Sequence, residues 1–581
     1  MGSYKGIYWK GRQIIIPGAY SYVDAEAMVP NRLSPANTIG AVGTCKGGQP
    51  NVPLRVSSLK EAVALLRDGD LKRAAELMYD PSSDVNGAGE VVFVRVGNPT
   101  QSALVLDTNK LSLASVDYGE HNNFIRMKIE AGTTSGKKVT IEQQLDDMKE
   151  IQDNLGNCFI VDYVGSGTAA AMSINTSTKK LTIVVDTVTI LTLPLDVYPT
   201  NTIKGIVEVL DGHADLTCTL DPDGDGTLDA ALLETLTSQS ILTAYTVSTQ
   251  VGSIHHWINA YSQLVASTLG ASPSGSITNI PFTHFASGGD GTTFDTAAWS
   301  TALSKLETEE DIRLLYVTAS DAAVHAIAST HCTQMSDIKT AKERILICGG
   351  AASETVAQAL TRGVNLGDKR SCIVYPGVKR YNITTGVLDT LSPAISAAIV
   401  AGMAGGVNPE EPLTYKTIKV QGLEKTLTDT EVEQLLGKGV IPLTYVRADG
   451  IYHIVQSITT WQKDANVIFR KLSGMRIHDY LRQETRNTAK VFIGRVADAT
   501  AMLSIKNAVA SKLDALTRTA QNSQGVLTPA LVDGVIGPSY RNLVVTFDGF
   551  DWVQVSFEAH PVGEIAYITI DCKLKPAQLS A

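Results

Sequence analysis

Residues 36–96 constrain the fold more than any other stretch of this chain. Ile39-Gly40-Ala41-Val42-Gly43 reads as a short apolar strand, and Lys46-Gly47-Gly48-Gln49-Pro50 breaks it. A helix headed by Ser57-Ser58 then runs to Leu66, and a second helical stretch covers 71–79. The dense run Val91-Val92-Phe93-Val94-Arg95 closes the unit as a strand. Strand, break, Ser-capped helix and buried strand together predict a crossover that feeds a parallel sheet.

The same texture returns after Gly288-Gly289-Asp290-Gly291. Helices predicted over 294–306, 321–335 and 354–361 alternate with the apolar strands 313–317, 343–348 and 372–375. Alternation of this kind implies a largely parallel sheet covered on both faces. Ser392-Pro393 starts a helix of small residues by the rule of a cap followed by proline. Between about 101 and 280 the texture differs: short alternating runs joined by Gly, Asn, Ser and Thr turns predict an antiparallel β-rich insertion. Helices are expected there near 203–210 and 250–269. From about 414 onward, strands at 440–443 and 451–458 and two helices, 475–491 and 500–519, precede three closing strands at 542–547, 552–559 and 565–574.

The expected fold is therefore a multidomain α/β and α+β chain, too long at 581 residues for a single core. Residues 1–22 form an N-terminal extended arm. Residues 23–100 with 281–413 form the parallel-sheet core, and 101–280 the insertion. Residues 414–565 make a C-terminal α+β domain, and 566–581 a closing strand or arm. Both ends are strand-prone, with Gln13, Ile14, Ile15 and Ile16 at one and Tyr567, Ile568, Thr569 and Ile570 at the other.

A net charge of −10 argues against a nucleic-acid binder, because phosphate contacts need a surplus of Lys and Arg. Seven cysteines without a CxxC pair read as buried thiols. The N-terminus lacks the apolar stretch of a signal peptide, and the longest apolar run, 394–407, is too short to span a membrane.

Several motifs approach known sites and fall short. Gly165-Ser166-Gly167-Thr168-Ala169-Ala170, with Asp186 beyond it, fits GxGxxA, but Ser, Asn and Thr follow where a dinucleotide fold needs a helix. It reads as a hairpin. Gly132-Thr133-Thr134-Ser135-Gly136-Lys137-Lys138 is one residue short of a P-loop and reads as a turn. Asp221-Pro222-Asp223-Gly224-Asp225-Gly226 opens like an EF-hand loop, but Leu232 stands where the bidentate carboxylate belongs. His255-His256, His325 and His331-Cys332 lack metal-ligand spacing. Gly349-Gly350 reads either as an anion seat at a helix start or as a plain strand-to-helix turn. No convergent polar set accompanies it or Gly377, so no catalytic residue, cofactor or metal is assigned.

Three blocks in order carry a family resemblance. The first is Gly47-Gly48-Gln49-Pro50-Asn51 with its helix and the strand ending at Arg95. The second is Gly288-Gly289-Asp290-Gly291 with Trp299, the acidic stretch 306–311 and Ile347-Cys348-Gly349-Gly350. The third is Gly439-Val440-Ile441, Arg447, Thr459-Thr460-Trp461, Arg482-Gln483-Glu484, Phe492-Ile493-Gly494-Arg495 and the closing strands. Together they resemble contractile phage tail sheath proteins, particularly those of large phages of Gram-positive bacteria.

That resemblance implies a structural protein, not an enzyme. It implies hexameric rings stacked around an inner tail tube, terminal arms adding strands to neighbouring subunits, and contraction that drives the tube through the host envelope. The implied partners are further copies, the tube, and baseplate and tail terminator proteins, in a virion tail assembled in the host cytoplasm, without nucleic-acid binding or membrane insertion. Sheaths of contractile bacteriocins or secretion-type injection systems, and other self-assembling shells, are the alternatives. Residues 463–518 carry eleven basic and five acidic side chains. They read either as two solvated helices or as a basic face toward an acidic tube. In the second reading Arg476, Arg482, Arg486 and Lys490, at helical spacing, are the tube-facing residues.

Overall fold

The computed structural model describes residues 7–9, 12–14, 37–447, 449–464, 466–532, 535–567 and 569. At its centre is an eight-stranded sheet. Its order is Ile451–Ile454, Val440–Val446, Ser371–Tyr375, Ile345–Gly349, Ile312–Val317, Thr38–Gly43, Val91–Arg95 and Leu54–Val56. The neighbours from Val440–Val446 to Val91–Arg95 are parallel, and only the two edge strands run antiparallel. Thr38–Gly43, Ile345–Gly349, Ser371–Tyr375 and Val91–Arg95 are buried along their whole length, as strands covered on both faces must be.

The predicted crossover is present. Ser58 accepts from the Glu61 N–H and caps the helix Leu59–Leu66, and Asp70–Tyr79 follows before the strand Val91–Arg95. These helices share one face of the sheet with Pro393–Gly406, in which every residue from Pro393 to Gly405 is buried. Small residues allow that burial: a Cβ on Gly402 would lie 2.4 Å from the Met78 carbonyl oxygen. Thr296–Ser304, Ala322–Met335 and Val356–Leu366 cover the other face. Arg95, itself 1% exposed, donates to the carbonyls of Gly48, Tyr118 and Asp290, tying the first crossover to the Gly288–Gly291 turn.

The insertion is antiparallel throughout and contains two cores, one nested in the other. The outer unit packs a four-stranded and a three-stranded sheet against the helix Gln250–Tyr261. The nested unit, residues 157–248, packs two sheets around the helix Ile203–Asp211. Thr100 pairs with Gly289 and Ala103 with Ala286, so the insertion enters and leaves side by side and extends past 280.

The boundary at 414 moves as well. Ile373 pairs with Val440 and Leu443 with Ile454, so both strands after the helix Asp429–Gly437 complete the core sheet. The reason is that the first of them is apolar on both faces: Val440 is fully buried in one core layer, and Ile441 and Leu443 in the other. The remaining C-terminal unit has its own core from Leu472–Lys490, Ala499–Ala515 and the hairpin Tyr540–Phe547/Val553–Ala559. A third closing strand is absent among the described residues 565–567. No helix among the described residues is long and apolar enough to cross a membrane.

Candidate assembly surfaces

The helix Leu472–Lys490 joins the core to the C-terminal unit, and three of its arginines bind groups of the core. Arg476 is 6% exposed and donates to the Val407 carbonyl (2.7 Å) and to Asn37 Oδ1 (3.1 Å). Burial pushes its pKa down to about 10. Arg486 places Nη1 and Nη2 at 3.0 and 2.9 Å from the carboxylate of Glu343, which is 1% exposed, and Arg482 Nε lies 3.7 Å from the same group. One turn earlier, Asp479 receives Arg370 in a bidentate pair at 2.7 and 2.9 Å, both partners buried. Burial opposes the charge of Asp479, but hydrogen bonds from His478 and Arg370 outweigh it and hold its pKa below the usual range.

Arg476, Arg482 and Arg486 therefore do not form a free tube-facing surface with Lys490. Helical spacing placed them on one side of the helix, but that side packs on the core. Only Lys490 is exposed. Glu343 and Asp479 supply the countercharges, and the spacing of basic residues alone gave no sign of Glu343.

Beyond Lys490 a groove of about 1150 Å³ opens between the core and the C-terminal unit. Glu310, Asp311 and Arg313 line the core side, and Phe492, Ile493, Val496, Phe550 and Trp552 the other. Ile493 is 80% and Phe550 87% exposed. Phe550 is held out by the turn of the closing hairpin, where Asp548 Oδ1 accepts from the N–H groups of Phe550, Asp551 and Trp552 at 2.9, 3.2 and 3.1 Å.

That hairpin is a two-stranded sheet, so each strand keeps one edge unpaired among the described residues. At the chain's start Ile7–Trp9 pairs antiparallel with Arg12–Ile14, with Tyr8 opposite Gln13 and Ile7 opposite Ile14. Ile15, Ile16, Ile568 and Ile570 lie outside the described residues. Tyr567, 82% exposed, and Thr569 are in no strand of this chain.

The near-miss motifs are occupied by their own chain. Asp186 accepts from the Thr168 and Ala169 N–H groups and pins the Gly165–Ala170 turn between two strands. Gly132 and Gly136 close a turn by a 2.9 Å backbone bond. Asp221 accepts from Asn157 and from its own turn at Asp223, and Asp225 pairs with His256 at 2.9 Å. A Cβ on Gly349 would lie 2.1 Å from the Pro393 carbonyl, and Arg362 takes Glu354 beside Gly350, so the strand ends there meet packed protein. His331 Nε2 lies 2.8 Å from Arg344 Nη1, and burial pushes both His325 and His331 down to about 4. Six described cysteines are free and buried, and no group of three or more His, Cys, Asp or Glu that could hold a metal occurs among the described residues.

The fold is thus a multidomain α/β chain whose near-miss motifs are engaged by their own chain and whose closing hairpin has unpaired edges among the described residues. Residues 293–460 match the phage tail sheath protein central domain. The chain is 28% identical to the tail sheath protein of Bacillus phage SP01, over 98% of this chain and 97% of that one. It is 28% identical to the putative tail sheath protein of Enterococcus phage phiEF24C, over 96% and 97%. Its fold is similar to the sheath tail protein of Listeria innocua, with a TM-score of 0.53, 14% identity and coverage of 91% and 93%. These matches bear out the resemblance to phage tail sheath proteins. The matched family and relatives are structural proteins, not enzymes.

Proposed function

We propose that this chain is the subunit of a contractile tail sheath. It stacks as hexameric rings on an inner tube and contracts to drive the tube through the host envelope. It meets the baseplate at one end and a tail terminator at the other, assembles in the host cytoplasm and ends in the virion tail. The closing hairpin carries this reading. Its two strands have unpaired edges, and strand-prone segments lie at both chain ends. Strand addition from neighbours satisfies those edges by main-chain hydrogen bonds, and such linkages survive the rotation of rigid bodies in a lattice.

Contact with an acidic tube falls to exposed cations such as Lys490 and Lys506 in place of buried Arg476 and the ion-paired Arg482 and Arg486. Reversing both to Glu weakens co-assembly on the tube and spares tube-free polymers. Similarity to phage proteins over nearly the whole chain favours a phage tail over a bacteriocin or secretion-type sheath. Electron microscopy of the purified chain tests the reading: long ribbed tubes are expected, and flat sheets or icosahedral shells would replace it with another assembly.

A further inference from the structure

We propose that the seam between the core strand Ile312–Val317 and the helix Leu472–Lys490 holds a monatomic anion of the chloride class, bound by Arg313, Arg476 and Tyr480. The site lies inside the fold of one chain and does not depend on the sheath reading.

The seam contains a cavity of about 20 Å³. One water-sized body needs about 10–15 Å³ of such space, so the cavity admits one water or one monatomic ion and excludes phosphate, sulfate or a carboxylic acid. Arg313 lines it from the core, and Arg476 and Tyr480, one helical turn apart, line it from the helix. Arg476 and Tyr480 are 6% and 5% exposed. Four polar atoms of this trio are buried without a hydrogen-bond partner: Arg313 Nε and Nη1, Arg476 Nη1 and Tyr480 Oη. The guanidinium nitrogens only donate. Burial, reinforced by Glu484 and Glu410, pushes the Tyr480 pKa up, so the phenol keeps its proton and donates as well.

The carboxylates on the cavity wall are already engaged elsewhere. Glu343 is held by Arg486 and approached by Arg482, and Asp479 is held by Arg370 and His478. Asp311, next to Arg313, is bound to Arg55. Arg476 gives its other hydrogen bonds to neutral oxygens, those of Val407 and Asn37. Glu410 and Glu411 favour its charge through space without a hydrogen bond to it. Arg313, Arg370, Arg476, Arg482 and Arg486 thus stand on or behind the cavity wall against Glu343 and Asp479. Water would bring two hydrogens of its own into a set of donors and leave the positive excess in place. A halide accepts from every donor, and its charge offsets that excess, as buried charge requires.

Urea unfolding of the full chain in sodium chloride, set against sodium gluconate at equal ionic strength to cancel general screening, is the test. Once the site is saturated, each tenfold rise in chloride is expected to lower the unfolding equilibrium constant about tenfold, as for one bound ion. Bromide is expected to act alike, and gluconate, too large for the cavity, to have no such effect. Tyr480→Phe is expected to raise the chloride concentration required roughly tenfold, the scale of one hydrogen bond to a charged group. Arg313→Met is expected to abolish the dependence. Should that variant not fold, Tyr480→Phe, which removes a single oxygen, still decides the matter. Crystals grown in bromide are expected to show one anomalous scatterer among the three side chains. Equal unfolding in chloride and gluconate, or a chloride dependence unchanged in Tyr480→Phe, would overturn the proposal. So would a peak without anomalous signal, which would assign the cavity to water.

Discussion

The core sheet and the closing hairpin are both built from β-strands, yet they solve opposite problems. In the core, each parallel strand has neighbours on both sides and protein on both faces, so its hydrogen bonds and apolar side chains are satisfied within one chain. The hairpin has one neighbour per strand among the described residues, alternating exposure and an aromatic tip. On the proposed function, one complete sheet and one incomplete sheet would separate folding from assembly: changes in the first are expected to cost stability, and changes in the second association.

The largest stability effect is expected where the two regions are bolted together. Asp479→Ala leaves Arg370 charged and buried without its partner. Removing one member of a buried pair costs about 3–5 kcal/mol. Thermal or denaturant unfolding of the full chain measures this. Replacing both members with apolar residues of similar size, Arg370→Met with Asp479→Leu, is expected to recover most of the loss. If Asp479→Ala is as stable as the parent, the junction is not held by this pair.

The next effect is a pH dependence. His331 titrates near 6.5 when unfolded and is pushed down to about 4 in the fold. Above pH 6.5 it is neutral in both states and costs nothing. As pH falls below that value the unfolded chain takes up the proton first, so folding weakens, by about 2 kcal/mol between pH 7 and 5. His331→Gln, which keeps a polar partner for Arg344, is expected to lose less stability than the parent over that interval. Denaturant midpoints at the two pH values decide it, and equal slopes would place the proton elsewhere.

What was legible in the sequence follows the same division. The first crossover could be read because its signals are local: a capping serine, a break and a run of buried β-branched residues. The strand Val440–Val446 was assigned to the wrong unit because a short apolar run looks the same in any sheet, and only the Ile373–Val440 pairing says which one it joins. The partners of the arginines of Leu472–Lys490 are not legible in the sequence for a related reason. Periodicity tells which residues share a face, but what that face meets depends on Glu343 and Val407, far away in sequence. The nested core of the insertion was hidden because antiparallel texture does not reveal where one core ends and another begins.

A smaller effect separates the insertion from the core. The nested unit begins and ends at adjacent points, since the Thr249 N–H donates to the Gly156 carbonyl at 2.7 Å. Replacing residues 157–248 with a short Gly-Ser linker closes a gap that is already closed. Its expected cost to the remaining chain is within about 1 kcal/mol, the scale of short-loop closure. Circular dichroism and unfolding of the shortened chain test this, and a chain that no longer folds would show that the nested core supports the rest.

The smallest stability effect is expected from the arm, together with the most complete loss of assembly. Removing residues 1–20 deletes the pairing of Ile7–Trp9 with Arg12–Ile14, which makes no strand contact with any other sheet among the described residues. An isolated two-stranded hairpin is marginal in water, so its removal is expected to change unfolding free energy by less than about 0.5 kcal/mol. If arm strands complete the open edges of a neighbour's closing hairpin, the truncated chain should nevertheless remain monomeric where the full chain forms tubes. Sedimentation and negative-stain imaging of the two chains at matched concentration separate the cases. Tubes formed by the truncated chain would move the linkage to the other terminus, where Tyr567 stands exposed. Truncation before Ala566 then becomes the discriminating variant. Loss of both stability and assembly on removing residues 1–20 would break the comparison itself, because the arm would then belong to the chain's own folded core.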